Sequence, residues 1–418
     1  MLRDYVLKII ENSYKSYGFE PLYTPIIENE EVFNGHHGEG EKLLFKLKDK
    51  NNENYVLKYD STVPLARVVS MYDDIKLPYK RYQLQQSYRD DDIDKGHYRE
   101  FIQCDCDIVG AQSLVSDSEL VLISYDGLHK LGFDEFTIRL NHRKIIKAIA
   151  EKARVYDKEG LLEIQRAIDF ADKITKDGIK GIELDLEKRN VNPDVIKIII
   201  DLIDISNNSK NINDNLDEIE CYLGENRNAK DGLKELKCIV SNLPNHVLDK
   251  TKIDFTLARG ADYYTGFIIE AVINNIELGA VLGGGRYDNL VASFSNKNIP
   301  AVGMAFGMER LIVAMKELGL DKQIFCDENK ILIYADDSRQ KEAIELSSKL
   351  REKYNVSLLL HSDLDFSDIR DYCSQSLIST IGFMNEDGDV KIERINDDLN
   401  CYDILNEEIK QYQKVKHK

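Results

Sequence analysis

The sequence predicts an α+β fold, in which an antiparallel-sheet domain is interrupted by a helical insert and followed by a smaller α/β domain. Three observations predict it. Short β-type runs separated by polar turns dominate residues 19–110 and 253–307, the pattern of hairpin-connected strands. Helical periodicity with many charges fills about residues 141–245. Past Gly319 apolar strand-like runs alternate with amphipathic helical ones, which marks a separate α/β unit. The expected domains are residues 1–325 and 328–418.

Taken in order, Leu2, Val6, Ile9, Ile10 and Tyr14 recur at helical spacing until Gly18, so the chain opens on an amphipathic helix. In Phe19–Glu28, Pro21 and Pro25 forbid helix and favour an extended edge segment. Two apolar runs between Leu43 and Val63 flank polar Lys48–Asn54 and read as a hairpin. Arg81–Gly110 reads as strand, charged loop, strand, and the Asn-rich run Ser206–Asn215 as a flexible stretch within the helical insert. Strands resume at Ile253, with Phe267–Ile273, a turn at Asn274 and Asn275, and a return strand running into Gly283–Leu290. Pro300–Gly307 is a small-residue strand that leads into a helix at Met308–Met315. In the last domain Ile331–Tyr334, Val356–His361, Ile378–Phe383 and Val390–Ile395 read as strands. Ser338–Tyr354, Phe366–Ser376 and a closing Ile404–Val415 read as helices.

Composition narrows the function classes. At 418 residues, 43% hydrophobic and 31% charged, the chain is long enough for more than one core and has the balance of a soluble globular protein. Acidic residues outnumber basic ones, 74 to 56, for a formal charge of -18, so a polyanion would have to be bound through local basic patches. The seven cysteines are scattered without a CxxC pair, which points away from a disulfide framework or a metal site and toward a reducing cytoplasm. The charged amino terminus is unlike a signal peptide, and no apolar run is long enough to cross a bilayer.

Several stretches carry chemistry. Leu257–Gly266 sets Arg259, a permanent cation with a planar fork of donors, beside Tyr263 and Tyr264 and between glycines. Such a segment suits an anionic guest or an ordinary turn between strands. In Lys95–Asp107 the alternation turns Arg99, Phe101, Gln103, Asp105 and Asp107 to one face, a ligand site or a wet surface. It turns Cys104 and Cys106 to the other, as core. Gly283–Gly285 before Arg286 could wrap phosphate through backbone N–H groups but lacks the spacing of known phosphate loops. Arg310 opens a helix, whose dipole favours anions. Lys58–Pro64 places Asp60 and Thr62 at a strand end, an amine-binding pair or a plain turn.

The joint occurrence and order of these stretches resembles the histidyl-tRNA synthetases, class II aminoacyl-tRNA synthetases, and most closely their eukaryote- and archaeon-like branch. Phe19–Glu28 with Pro25 is similar to the first class II motif, Arg89–Asp107 to the second and Pro300–Leu311 to the third. Leu257–Gly266 and Gly284–Leu290 resemble the two histidine signatures. The resemblance is strong over about residues 18–110 and 253–315. It implies a class II catalytic domain with an anticodon-binding-like C-terminal domain. It also implies ATP as a substrate accompanied by Mg2+, and a homodimer in the cytoplasm that activates histidine and charges tRNA(His). Arg89 would then meet the α-phosphate, Phe101 would stack near adenine, and Asp91 and Arg310 would belong to the ATP site. Asp60 and Thr62 would hold the amino group of histidine with Gln103 nearby, Asp107, Tyr263 and Tyr264 would surround its ring, and Tyr287 would close the pocket. Arg259 would touch the substrate carboxylate and α-phosphate as the electrophile of adenylate formation.

Some positions depart from the family. Gly96-His97-Tyr98-Arg99 stands where Gly-Arg-Tyr-Arg is usual, Asp90, Asp91 and Asp92 crowd the loop before it, and Lys58 replaces an arginine. The chain also opens directly on the first helix, as a misassigned start codon would produce. These changes favour, as the alternative, a histidine-sensing paralogue that regulates ATP phosphoribosyltransferase.

Overall fold

The computed structural model describes residues 2–35, 38–173, 178–257, 263–323, 327–335, 337–360, 365–376, 378–385, 390–394 and 409. Arg259 lies outside them, as does the closing helix expected over Ile404–Val415 apart from Ile409. The chain divides into two compact units, Met1–Leu318 and Gly319–Lys418.

The first unit runs α1 (Leu2–Ser16), β1 (Glu20–Pro21), β2 (Ile27–Asn29), β3 (Lys46–Lys48), β4 (Asn54–Leu57), α2 (Thr62–Met71), β5 (Tyr79–Tyr88) and β6 (Glu100–Val109). It continues with α3 (Val115–Lys130), β7 (Phe136–His142), α4 (Arg143–Lys152), α5 (Lys158–Lys173), α6 (Gly178–Lys188), α7 (Pro193–Asn208), α8 (Ile212–Leu223), α9 (Arg227–Ser241) and α10 (Asn245–Leu248). It closes with β8 (Thr251–Ile253), β9 (Phe267–Ile273), β10 (Leu282–Arg286), β11 (Ala301–Gly307) and α11 (Met308–Glu317). Eight strands form one sheet in the order β1-β5-β6-β11-β10-β9-β7-β8. Its pairings are antiparallel except at the two edges, β1 with β5 and β7 with β8. A small antiparallel sheet, β2-β4-β3, holds the expected hairpin.

The large sheet is two-faced. On its apolar face Tyr82, Cys104, Cys106, Met304 and Phe306 are all buried, with Tyr14 of α1 tilted against Tyr82 and Phe306 and donating to the Cys104 carbonyl at 2.6 Å. Helix α3 covers β11 on the same side, where Gly127 meets Phe306 so closely that an added Cβ would lie 2.7 Å from its ring. Arg286 is buried here as well, donating from Nε to Asp117 of α3 at 3.0 Å and from Nη2 to the second carboxylate oxygen.

Three local expectations change. The second apolar run ends at Leu57, and Val63 belongs to α2, whose first turn accommodates Pro64 because those N–H groups need no helical partner. Ser206–Asn215 is a helix end and a helix start. Asn211 accepts from the N–H groups of Asn213 and Asp214 and so caps α8. Strand β7 and helix α3 were not anticipated, although both are largely buried.

The second unit runs β12 (Asp327–Ala335), α12 (Gln340–Leu350), β13 (Asn355–Leu360), α13 (Phe366–Ser376), β14 (Ile378–Met384) and β15 (Val390–Arg394). Its sheet order is β13-β12-β14-β15, with only the last pair antiparallel.

Gly127→Ala tests the packing of the apolar face. The substitution adds about 1 kcal/mol of helix propensity, yet overpacking at Phe306 is expected to outweigh it and lower stability by about 1–3 kcal/mol in urea unfolding. A stabilised variant would show that α3 and β11 are not in tight contact there.

Candidate active site

The opposite face of the sheet is polar by register. Arg81, Gln83, Gln85 and Ser87 of β5 lie across from Asp107, Asp105, Gln103 and Phe101 of β6. The next strand places Gly303, Ala305 and Gly307 beside Asp107, Asp105 and Gln103, and β10 adds Gly285 and Gly283 beside Gly303 and Ala305. Charged and amide side chains thus border a floor that carries almost no side-chain volume. At Gly303 an added Cβ would collide with the Asp107 carboxylate, and at Gly285 it would lie 2.8 Å from the Tyr264 ring. The three glycines at 283–285 are therefore ladder residues of β10. Their N–H groups do not form the phosphate-wrapping turn considered from sequence, and their use is the space they leave open.

Around this floor the expected residues converge. The Tyr287 hydroxyl donates to Asp107 Oδ1, and Tyr263 donates to Asp60 Oδ2 at 3.3 Å and is hydrogen-bonded to Thr62. The Tyr263 ring stands edge-on to Tyr264 and Tyr287, with centroids 4.9 and 5.9 Å away. Burial, then the neighbouring negative charge, pushes the Tyr287 phenol well above its usual range, so it remains a donor. Asp60 also accepts from the Val63 N–H at 3.1 Å, which fixes its carboxylate at the start of α2. One lateral end of the face holds Arg89, whose guanidinium lies 4.3 Å from the Tyr59 ring centroid and 5.0 Å from that of Phe101. Gln103 Oε1, Asp105 Oδ2 and Arg89 Nε are buried without a hydrogen-bond partner in the chain, the state of groups that await a polar ligand.

Arg310, third in α11, donates to the Ala280 carbonyl at 2.7 Å. Gly96, at φ +70, turns the loop between β5 and β6 against it, leaving 3.1 Å between an added Cβ and Arg310 Cγ. Lys95 of that loop pairs with Glu317 of α11. Asp90 lies 3.4 Å from Arg99, and Asp91, which no described contact joins to the tyrosine cluster, lies 3.8 Å from His97 Nε2.

Beneath the site lie Arg81 and Gln83, to which the sequence assigned no role, and Lys58, noted there only as replacing an arginine. Arg81 is wholly buried, with Nη2 2.9 Å from Asp107 Oδ2. Lys58, also wholly buried, donates to Gln85 Oε1 at 2.6 Å, and Gln83 donates to Thr24 Oγ1 at 3.2 Å. The alternation Arg81, Gln83, Gln85, Ser87 was the signal that could have found them. Burial pushes the Lys58 ammonium down to about 8, against the upward pull of Asp105.

Burial also pushes the Asp105 carboxyl from 3.8 up to about 7, against the opposing pull of Arg81. A carboxyl that holds its proton longer in the fold than in the unfolded chain contributes stability at low pH and loses it as pH rises through the folded value. Asp105→Asn does not titrate, so its stability relative to wild type is expected to rise between about pH 4 and about pH 7 in urea titrations. A difference that stays constant over that range contradicts the assignment.

Comparison with known proteins places this geometry. The profile of the family described as histidyl-tRNA synthetase matches residues 3–311. A histidine–tRNA ligase of Clostridium tetani is 35% identical over 395 residues, covering 93% of this chain and 88% of that protein. The crystal structure of histidyl-tRNA synthetase from Nostoc sp. PCC 7120 superposes with a TM-score of 0.76 at 26% identity, covering 98% of this chain and 95% of that one. A Bacillus halodurans structure described as an ATP phosphoribosyltransferase regulatory subunit/histidyl-tRNA synthetase shares the fold, with a TM-score of 0.70 at 20% identity over 89% of this chain and 92% of that one. With a family profile spanning most of its length and a close relative along nearly all of it, the chain belongs to the histidyl-tRNA synthetase family.

Proposed function

We propose that the chain is a histidine–tRNA ligase and that the polar sheet face is its adenylation site. The observation that carries the reading is the cluster of Asp107, Tyr287, Tyr263 and Asp60 around a glycine floor, because it offers separate acceptors for an amino group and for a ring N–H. Asp60 and Thr62 take the α-ammonium of histidine with Gln103 alongside, and Asp107 accepts from the imidazole between Tyr264 and Tyr287. A histidine carboxylate oxygen attacks the α-phosphorus of ATP, pyrophosphate leaves, and histidyl-adenylate forms. The terminal ribose hydroxyl of tRNA(His) then attacks the acyl carbon and AMP leaves.

Attack of one anion on another requires fixed positive charge. Arg89 supplies it at the α-phosphate, Arg310 on the rest of the nucleotide and Arg259 at the substrate carboxylate, with Phe101 beside the adenine and Asp91 at the edge of the ATP site. Among the described residues no group of three or more His, Cys, Asp or Glu side chains converges as a cation site. Mg2+ accompanying ATP would supply positive charge that offsets part of the repulsion from Asp90–Asp92.

The remaining assignments rest on the same family reading. Tyr23, Ile27, Met71 and Tyr72 are each more than half exposed on and beside the first-motif segment, an apolar surface suited to a second copy of the chain. The second unit serves as the anticodon-binding module. The domain limits expected from sequence and a cytoplasmic location belong to this reading too. Among the described residues no helix is long and apolar enough to cross a membrane.

The acidic loop and His97 favour the second reading, a histidine sensor that regulates ATP phosphoribosyltransferase. Histidine-dependent exchange of labelled pyrophosphate into ATP, followed by a tRNA-charging assay, separates the two. The ligase reading expects both activities, and expects Arg259→Ala to abolish exchange while the fold persists. Histidine binding without any exchange would sink it and favour the sensor.

A further inference from the structure

The adenylation reading names the groups that touch histidine but leaves open what sets the distance between the two ends of its pocket. The amino end is built at the start of α2 and the ring end in the middle of β6, and these segments are far apart in sequence. Arg81 lies across both. Its Nη2 donates to the Ser61 carbonyl at 2.9 Å, in the turn that carries Asp60 and Thr62. The same nitrogen is 2.9 Å from Asp107 Oδ2, and Nη1 donates to Gln83 Oε1 at 3.1 Å. The guanidinium is wholly buried, and among the described residues it heads the fully buried side chains by size. Being planar and permanently charged, it holds such a three-way span as no other side chain would.

We propose that Arg81 is the positioning residue for amino-acid selection, a buried strut that fixes the amino end of the pocket relative to the ring end and holds a positive charge against the Asp107 carboxyl. The inference rests on the adenylation reading and adds to it a residue that need not touch substrate. Asp107 already receives the Tyr287 hydroxyl on Oδ1, and Gly303 leaves room for its carboxylate. Arg81 Nη2 lies within ion-pair distance of Oδ2, an oxygen that accepts no hydrogen bond within the chain, so acceptor capacity remains toward the open floor. A ring N–H satisfies it, whereas an isosteric side chain without such a donor would bury the carboxylate unpaired. The other charged or titratable groups facing Asp107 are Asp105 on its own strand, Asp60 before α2 and Tyr287 after β10. Burial favours the protonated form of Asp107, Arg81 opposes it and Asp60 adds like charge, so removal of Arg81 favours protonation.

The test compares full-length wild type, Arg81→Gln and Arg81→Lys by histidine-dependent pyrophosphate exchange, with histidine affinity measured by calorimetry on the same samples. Arg81→Gln is expected to raise the KM for histidine by roughly 100-fold, the scale of a broken buried ion pair, with the KM for ATP nearly unchanged. Its ratio to wild type at each pH, which cancels titration of the substrate imidazole, should be larger at about pH 6 than at about pH 8.5 as Asp107 takes up a proton. Arg81→Lys keeps the charge but loses the three-way span, so it should raise the KM for histidine less and without a pH trend. An unchanged histidine KM in either folded variant overturns the proposal, as does an equal loss for histidine and ATP at every pH. If the glutamine variant fails to fold, the lysine variant decides alone by its histidine-to-ATP contrast. A wild type that binds histidine without exchange sinks the adenylation reading, and the Arg81 comparison then stands or falls on affinity.

Discussion

A guanidinium and a carboxylate with essentially no exposure face each other across two neighbouring strands, Arg81 on β5 and Asp107 on β6. Removing two charges from water is expensive unless every remaining donor and acceptor is met. Much of the first unit is arranged around this pair, although Arg81 Nε and Asp107 Oδ2 are left without a hydrogen bond within the chain. Tyr287 reaches the pair because Arg286, the residue before it, is anchored to α3 on the other side of the sheet. The turn into α2 supplies the Ser61 carbonyl, and β5 itself supplies Gln83. Gly303 gives up a side chain so that the Asp107 carboxylate fits.

A sheet that carries such a face needs a compensating apolar one. The pleat provides it without extra chain, since Tyr82 and Leu84 alternate with Arg81 and Gln83, and Cys104 and Cys106 with Asp105 and Asp107. Helices α1, α3 and α11 cover the apolar side, and burial there is the favourable term that offsets the strain of assembling like charges opposite. Asp105 and Lys58 show how far the polar side departs from aqueous behaviour, with a carboxyl raised to about 7 and an ammonium lowered to about 8. Such perturbation is characteristic of a site built for chemistry as well as of a buried ion-pair network. The glycine floor beside it distinguishes a site, because a purely structural network would be filled.

Much of this was legible in the sequence. Local alternation in Phe101–Asp107, the hairpin around Lys48–Asn54 and, among the described residues, the α/β alternation after Gly319 depend on neighbouring residues and appear as strands and helices where expected. The ring of Asp60, Asp107, Tyr263, Tyr264 and Tyr287 was named from motif order. What escaped depends on long-range partners. Arg81 was read only as the start of a strand and Lys58 only as a replacement for arginine, because their partners Asp107 and Gln85 lie on other segments. Gly283–Gly285 reads as a loop in isolation and as a strand only when β9 and β11 flank it. The Asn-rich run reads as flexible because its composition is polar, whereas the structure uses Asn211 as a helix cap.

The loop from Asp90 to His97 carries the departures read from sequence, and beside Arg310 its Asp90 lies near Arg99, its Asp91 near His97, and its Lys95 pairs with Glu317 of α11. Asp60, Asp107 and Tyr287 lie outside that loop, and the proposed recognition of histidine depends on them. A crystal structure of the full chain with histidinol and ATP tests it most directly. The account predicts the amino group on Asp60, a ring nitrogen on Asp107 with Tyr264 beside it, and the α-phosphate at Arg89. Density for histidinol away from the Gly303 and Gly285 floor, or a ring that leaves Asp107 without a donor, would contradict it.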